Sequence, residues 1–282
     1  MRAKVEGLLK IIRPLNCLVM SFAIVVGALL AAGVNFQWIN LLWGGITSFT
    51  LTAAAMAIND YYDYGIDVIN EPTRPLPSGA VTKKEALIVT GILTAIGLAA
   101  AYIVSLYCLL FAFTFWLVMA AYSTFGKRSG LAGNFLVSAC IAAPFLYGSL
   151  LALDTIKLNT LLFAAMAFLS NTGREVAKGI VDVKGDKSYG IKTMAVRFGT
   201  KKAALSAAFF FLFAVSLSIL PPIMGIVTVW FIPFVLVTDM GLIWCSISLV
   251  IKPDRENSRK VKKLVLFLFI FGLLAFVAGT LG

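Results

Sequence analysis

The sequence predicts an all-α polytopic membrane protein with nine membrane-spanning helices, and three observations carry that prediction. Hydrophobic residues fill 60% of the 282 positions and charged residues only 13%, at a mean hydropathy of +0.95. A soluble fold of this length needs far more surface charge. The apolar residues form long runs rather than short alternating segments, which suits membrane helices and excludes an outer-membrane barrel. Lysine and arginine gather in every second segment between the runs, as a cytoplasmic face requires.

A bilayer core takes roughly 20 apolar helical residues. Basic residues Arg2, Lys4, Lys10 and Arg13 precede the first run in the manner of a signal peptide. That run reaches Gly33 with no polar cleavage region, so it is read as the first span, 15–33. The second, 38–64, follows the break Gly33–Gln37, and the third, 85–105, follows the Asn70–Gly79 loop. Only Ser105–Tyr107 separates the third from the fourth, 107–125. Gly126–Gly130 precedes the fifth, 131–153, and Asp154–Asn159 the sixth, 158–181. Asp182–Thr200 leads to the seventh, 202–220, Pro221-Pro222 to the eighth, 223–250, and Pro253–Lys260 to the ninth, 262–281. With these nine spans, all of the 24 lysines and arginines except Lys157 fall on one side. The N-terminus and that face are then cytoplasmic and the C-terminus lies outside.

The chain is read as a single domain, 1–282, with a weak internal repeat. Asp63 and Asp67 recur as Asp182 and Asp186, and Thr82-Lys83-Lys84-Glu85-Ala86-Leu87 recurs as Thr200-Lys201-Lys202-Ala203-Ala204-Leu205. Repeats 1–125 and 126–250 would each hold four spans and so run parallel, leaving a ninth helix over. Four cysteines (Cys17, Cys108, Cys140, Cys245) lie singly in apolar runs and suit buried packing rather than disulfides or zinc. The chain has no histidine, which removes imidazole-based catalysis and haem ligation.

Two acidic clusters stand out. In the first, Asn59, Asp60, Asp63 and Asp67 fall within a ~100° arc if the helix continues at 3.6 residues per turn. Gly65 threatens that continuation. In the second, Asn171, Arg174, Glu175, Lys178, Asp182 and Asp186 share a ~120° stripe. Polar groups at the end of a span face the protein interior, because lipid exposure costs several kcal/mol. Carboxylates this close repel unless a cation sits between them, and oxygen ligands without Cys or His suit Mg²⁺. Mg²⁺ usually bridges carboxylates to substrate phosphates, and the surrounding Arg and Lys are further phosphate donors. Such a pocket at a membrane boundary suits a lipid diphosphate, whose departure would leave an allylic cation that aromatic faces stabilise.

The residues also carry a family resemblance. Asn59-Asp60-x-x-Asp63-x-x-x-Asp67, then Arg74-Pro75-Leu76-Pro77-Ser78-Gly79, together with Asp182-x-x-x-Asp186, resembles the UbiA superfamily of intramembrane prenyltransferases. Arg13-Pro14-x-Asn16 and Tyr122-Ser123 with Lys127-Arg128 look similar too. The resemblance implies nine helices around a central cavity open laterally to lipid, with a prenyl diphosphate held through Mg²⁺ at both Asp motifs. It makes Asn59, Asp60, Asp63, Asp67, Asp182 and Asp186 the candidate metal site, with Asp63, Asp67, Asp182 and Asp186 as the catalytic carboxylates. It makes Arg13, Asn16, Arg74, Tyr122, Lys127, Arg128, Asn134, Arg174 and Lys178 the candidate substrate contacts. The segments around Asn59–Tyr64, Asn70–Pro75 and Arg174–Gly179 look most like the archaeal digeranylgeranylglyceryl phosphate synthases, although Gly179 stands where an acidic residue often sits. That implies geranylgeranyl transfer from its diphosphate to the glycerol hydroxyl of geranylgeranylglyceryl phosphate. The partners so implied are a prenyl diphosphate, a lipid-phosphate acceptor and membrane lipid, with no nucleic acid and no protein partner indicated.

Several residues have plainer readings. Asp239, in the middle of the eighth span, is either a functional intramembrane acid or a packing group paired to an Arg or the backbone. Glu175 is read as holding Arg174 by an ion pair rather than as a base. Lys252–Lys263 is read as a loop meeting anionic lipid heads, and Phe209–Phe213 as a lipid-facing or packing surface. The Asn70–Gly79 and Lys184–Gly199 loops are placed to form a lid. The rival from another class is a transporter using the Asp clusters as an ion path, against which stands their position at helix ends rather than the midplane. A rival within the chemistry changes the acceptor to an aromatic quinone precursor or a porphyrin.

Overall fold

A computed structural model describes residues 2–281, and every regular element among them is helical. Helix α1 (Arg2–Ile12) and helix α2 (Pro14–Ala32) meet at Arg13, whose left-handed backbone (φ 51°) turns the chain, while Pro14 starts α2 with its φ already set. Helix α3 (Trp38–Asn70) runs 33 residues without a break, so Gly65 does not end it. Helix α4 (Lys83–Val104) opens on a capping box: the Thr82 hydroxyl accepts from the Glu85 amide (3.2 Å) and the Glu85 carboxylate accepts from the Thr82 amide (3.1 Å). Ser105 adopts an extended backbone and caps helix α5 (Leu106–Thr124), which divides the third expected span cleanly from the fourth.

A short 3₁₀ turn (Gly126–Ser129) leads to helix α6 (Leu131–Leu153) and then helix α7 (Leu158–Val181). Two short helices, α8 (Val183–Ser188) and α9 (Met194–Phe198), fill the next connection. Helix α10 (Thr200–Ser218) is extended by the single turn α11 (Leu220–Ile223), and α12 (Phe231–Ile251) and α13 (Arg255–Leu281) complete the chain. The eighth expected span therefore starts later than 223, because Pro221-Pro222 closes the preceding helix as a turn of its own. The ninth starts earlier than 262: Arg255–Lys263, expected as a lipid-meeting loop, is the first two turns of α13.

Among the described residues eight stretches are long and apolar enough to cross a membrane: α1 with α2, α3, α4, α5, α6, α10 with α11, α12 and α13. The remaining expected span is α7. Its 24 residues suffice in length, but Asn171, Arg174, Glu175 and Lys178 lower its hydropathy. That helix carries its polar stripe inside the bundle, where lipid does not see it.

The helices close into a ring in which neighbours pack in the order α2, α3, α4, α5, α6, α7, α10, α12, α13 and back to α2. Within it α6 crosses to α2, and α7 to α13. Small residues permit the tightest contacts: a Cβ on Gly148 would come within 2.2 Å of the Ile24 carbonyl oxygen, and one on Gly27 within 2.2 Å of the Phe145 carbonyl oxygen. Large apolar side chains cover the outside, among them Leu158, Met240 and Ile251, a surface only lipid tolerates at this extent. The Phe209–Phe213 run divides both ways: Phe209 and Phe213 face outward, and Phe211 is fully buried against Gly173.

Candidate active site

The site gathers at one end of the ring, where α3 and α7 run out of the apolar layer. Because α3 continues to Asn70, Asp60, Asp63 and Asp67 stack on one face, and they are only 2%, 5% and 5% exposed. A buried carboxylate needs a cation or donors close by, and each has them. Arg13 reaches Asp60 at 2.6 Å. Arg74 pairs with Asp67 at 2.7 Å and stands 3.7 Å from Asp60. Lys127, from the 3₁₀ turn, pairs with Asp63 at 2.6 Å, and the Asn59 amide donates to the same carboxylate oxygen at 2.9 Å. Three basic residues from outside α3, two of them more than forty positions from their partners, are thus drawn onto one helix face.

The second motif is built differently. Asp182 ends α7, and its carbonyl accepts from the Asp186 amide at 2.9 Å. Both carboxylates are half-exposed, and neither has an ion-pair partner within 4 Å among the described residues. Burial, and after it the neighbouring Asp182 charge, push the Asp186 carboxyl up to about 6, against the pull of Lys127 and Lys178. Two turns before Asp182, buried Glu175 accepts from Arg174 at 2.7 Å and from Lys178 at 3.1 Å, which is the ion-pair role expected of it. Asn171, buried, donates to Ser138 on α6 at 3.1 Å.

The two motifs meet. Lys127 touches Asp63 and is also within electrostatic reach of Asp186. Buried Tyr122 lies among the charges of Lys178, Glu175, Asp63 and Asp186. The Tyr189 hydroxyl donates to the Gly65 carbonyl at 2.7 Å and ties the α8–α9 connection to the end of α3. On the other flank, Leu76 and Val81 of the 71–82 segment pack with Ile11, Ala57 and Ala86. Both connections expected as a lid therefore sit against the site.

Three expected contacts are not drawn into this network. Asn16 and Arg128 are exposed, and the half-buried Asn134 has no side-chain hydrogen bond among the described residues. Two residues escaped the sequence reading. Tyr189 carried no sequence signal, since an isolated tyrosine in a loop matches no pattern. Lys262 lay within a basic run taken for a lipid-meeting loop, yet α13 turns it inward to within reach of Asp182, Lys178, Arg174 and Glu175. Only a helix beginning before Lys252–Lys263 ended would have revealed it.

Among the described residues no three Asp, Glu, Cys or His side chains converge into a ready metal cage. Every candidate donor is oxygen, and the like-charged pair Asp182 and Asp186 has no basic group within 4 Å among the described residues. That half-formed set suits a hard divalent ion whose shell is completed by substrate phosphates.

Below the charged end lies an apolar cavity of about 100 Å³, partly open to the outside and lined by Met20, Phe145, Met166, Phe269 and Phe276 among others. Ser170, one turn before Arg174 on α7, lies in its wall, so the cavity begins under the polar stripe. Asp239 is in the same wall and accepts from the Ser218 hydroxyl at 2.6 Å. Its partner is therefore a serine on α10 rather than an arginine or the backbone.

Residues 19–278 match the UbiA prenyltransferase family. The chain is 36% identical to the digeranylgeranylglyceryl phosphate synthase of Archaeoglobus fulgidus over 93% of this chain and 91% of that one. It is 34% identical to the synthase of the same name from Methanosarcina mazei, over 99% of this chain and 100% of the relative. A solved structure of a digeranylgeranylglyceryl phosphate synthase in membranes superimposes with a TM-score of 0.81 at 30% identity, covering 99% of each chain. A UbiA homolog from Archaeoglobus fulgidus bound to GPP and Mg²⁺ has a TM-score of 0.68 at 17% identity, over 96% of this chain and 99% of that one, and so shares the fold.

Proposed function

The chain belongs to the UbiA prenyltransferase family, and from that premise we propose that it transfers a geranylgeranyl group from geranylgeranyl diphosphate to the glycerol hydroxyl of geranylgeranylglyceryl phosphate, in archaeal ether-lipid synthesis. One observation carries this reading: two carboxylate motifs meet across Lys127 and Tyr122 at the charged end of a bundle whose interior is an apolar cavity. A diphosphate with a hydrocarbon tail matches both halves. The relatives named above support the acceptor.

Asp63, Asp67, Asp182 and Asp186, with Asn59 and Asp60 beside them, would hold Mg²⁺, which when bound supplies positive charge to the departing diphosphate. Arg13, Arg74 and Lys127 hold the α3 carboxylates in the ligand-free protein and are placed to turn toward diphosphate oxygens as these arrive. The C–O bond then breaks with its electron pair on the diphosphate. Tyr122 and the phenylalanines below face the allylic cation. The apolar wall keeps water from capturing it, and the acceptor hydroxyl attacks instead, forming the ether as its proton passes to the released diphosphate. The segments 71–82 and 183–199 cover this end of the site, and the Tyr189–Gly65 bond anchors the second of them. The charge asymmetry supports a cytoplasmic N-terminus and active face, with the C-terminus outside. The pairing of α3 with α4 and of α7 with α10 supports two parallel repeats, 1–125 and 126–250, within one domain.

The test uses the purified protein in detergent with Mg²⁺ and geranylgeranyl diphosphate. Diphosphate release should depend on Mg²⁺ and on geranylgeranylglyceryl phosphate, with hydroxybenzoate and naphthoate inert. Release with an aromatic acceptor in its place would change the substrate, and no release with any acceptor would sink the enzyme reading.

A further inference from the structure

The basic residues around the site divide into two sets with different balances. Arg13, Arg74 and Lys127 each grip a carboxylate of α3, three cations against three acids. Arg174 and Lys178 take the two oxygens of a single buried glutamate, Glu175, and Lys262 on α13 lies within electrostatic reach of all three. Lys262 has no ion pair within 4 Å among the described residues, although Asp182 lies within its electrostatic reach.

Packing holds this surplus in place. Val261 and Val265 of α13 are fully buried against Val176, Ala177 and Ile180 of α7, which brings Lys262 to the α7 stripe. Two donors there are buried without a partner among the described residues, the Arg174 Nε and the hydroxyl of Ser258, one turn before Lys262. Like charges gathered between helices repel, and unpartnered donors cost free energy, unless an anion with several acceptor oxygens completes them. Asp182 does not serve, being committed with Asp186 to the metal side of the site.

We propose that Arg174, Lys178 and Lys262 form a second anion site that takes the phosphate monoester of the acceptor, with Lys262 the residue that sets the preference for a phosphorylated acceptor. This rests on the transfer reaction proposed above. A phosphate monoester carries between one and two negative charges near neutral pH and three acceptor oxygens, matching the surplus. Tyr122, which feels both Lys178 and Asp63, sets this site beside the diphosphate site. That adjacency is what the chemistry needs, because the acceptor's hydroxyl and phosphate lie on the same three-carbon backbone. An anionic membrane-lipid head offers the same phosphate chemistry, and the test separates the two sources.

Wild-type protein, Lys262→Gln and Lys262→Arg are assayed with Mg²⁺ and geranylgeranyl diphosphate on two acceptors: geranylgeranylglyceryl phosphate, and the alcohol left when its phosphate is removed. Lys262→Gln should raise KM for the phosphorylated acceptor by roughly 10- to 100-fold, as loss of one charge-assisted contact implies, with KM for the donor unchanged. On the alcohol, Lys262→Gln should fall no further below wild type. Lys262→Arg should recover most of the loss. An unchanged acceptor KM overturns the proposal, and an equal loss on both acceptors overturns it in favour of a lipid-head or structural role. Arg174→Lys, which keeps the charge but removes Nε, should show the same acceptor-specific rise to a smaller degree and serves if Lys262→Gln does not fold. Wild type that transfers to neither acceptor refutes the reaction itself. Wild type that favours the phosphate through an unaltered Lys262→Gln refutes only this site.

Discussion

Two motifs with the same Asp-x-x-x-Asp spacing are held in opposite ways. Asp63 and Asp67 are buried in the last two turns of a continuous helix, and each is paired with a basic residue from outside that helix. Asp182 and Asp186 straddle the end of a helix, half-exposed and without an ion-pair partner within 4 Å among the described residues. The difference teaches which half of the site the protein completes by itself. On α3 the chain supplies its own counter-ions, so those carboxylates keep their geometry before any ligand arrives. On α7–α8 no basic group of the described residues comes within 4 Å of Asp182 or Asp186, so the proposed metal and diphosphate would have to balance that charge.

The contrast breaks or sharpens under mutation. The largest expected effect is on turnover, where both motifs behave alike. Asp63→Ala and Asp182→Ala should each lower prenyl transfer by roughly 100-fold to 1,000-fold or more, because several kcal/mol of electrostatic stabilisation of the leaving group go with each. Near-normal transfer in either variant removes that residue from the metal site.

Stability should separate them. Asp60→Ala leaves Arg13 without its carboxylate and Arg74 with one fewer, and should cost about 1–3 kcal/mol, a value reduced because both arginines are partly exposed. Asp182→Ala relieves its repulsion with Asp186 and should leave thermal unfolding in detergent unchanged or slightly raised. Equal losses in the two variants would end the distinction between a pre-paired and an open motif. The smallest effect concerns the tie between the halves. Tyr189→Phe removes one hydrogen bond to Gly65, worth about 1 kcal/mol. Amide exchange should quicken across 183–199 and stay unchanged in α3, and uniform protection would show that this bond anchors nothing.

Much of the fold was legible because its signals are local. A run of apolar residues reports its own burial in lipid, and alternate basic loops report which ends share a face. Spacing alone also placed Asn59, Asp60, Asp63 and Asp67 on one arc. The misjudged boundaries have equally local causes. A glycine weakens a helix by about 1 kcal/mol, too little to end α3 at the exposed Gly65 when Asp63 and Asp67 on either side of it are held by Lys127 and Arg74. Tandem prolines made a turn of their own, and a basic helix start looks like a loop when judged by charge. Tyr189 and Lys262 were not legible, since nothing in their immediate neighbours distinguishes them from solvated residues.

The sequence by itself determined a membrane-embedded helical bundle, a charged face and the oxygen-rich chemistry of two acidic motifs, because hydropathy, charge and helical period act over a few neighbouring residues. Only the tertiary structure decided how that charge is shared out. Arg13 reaches Asp60 across 47 positions and Lys127 reaches Asp63 across 64, while α13 turns Lys262 toward Glu175. Such pairings depend on which helices become neighbours and how closely small residues let them approach. Packing therefore gives two motifs of identical spacing their different surroundings.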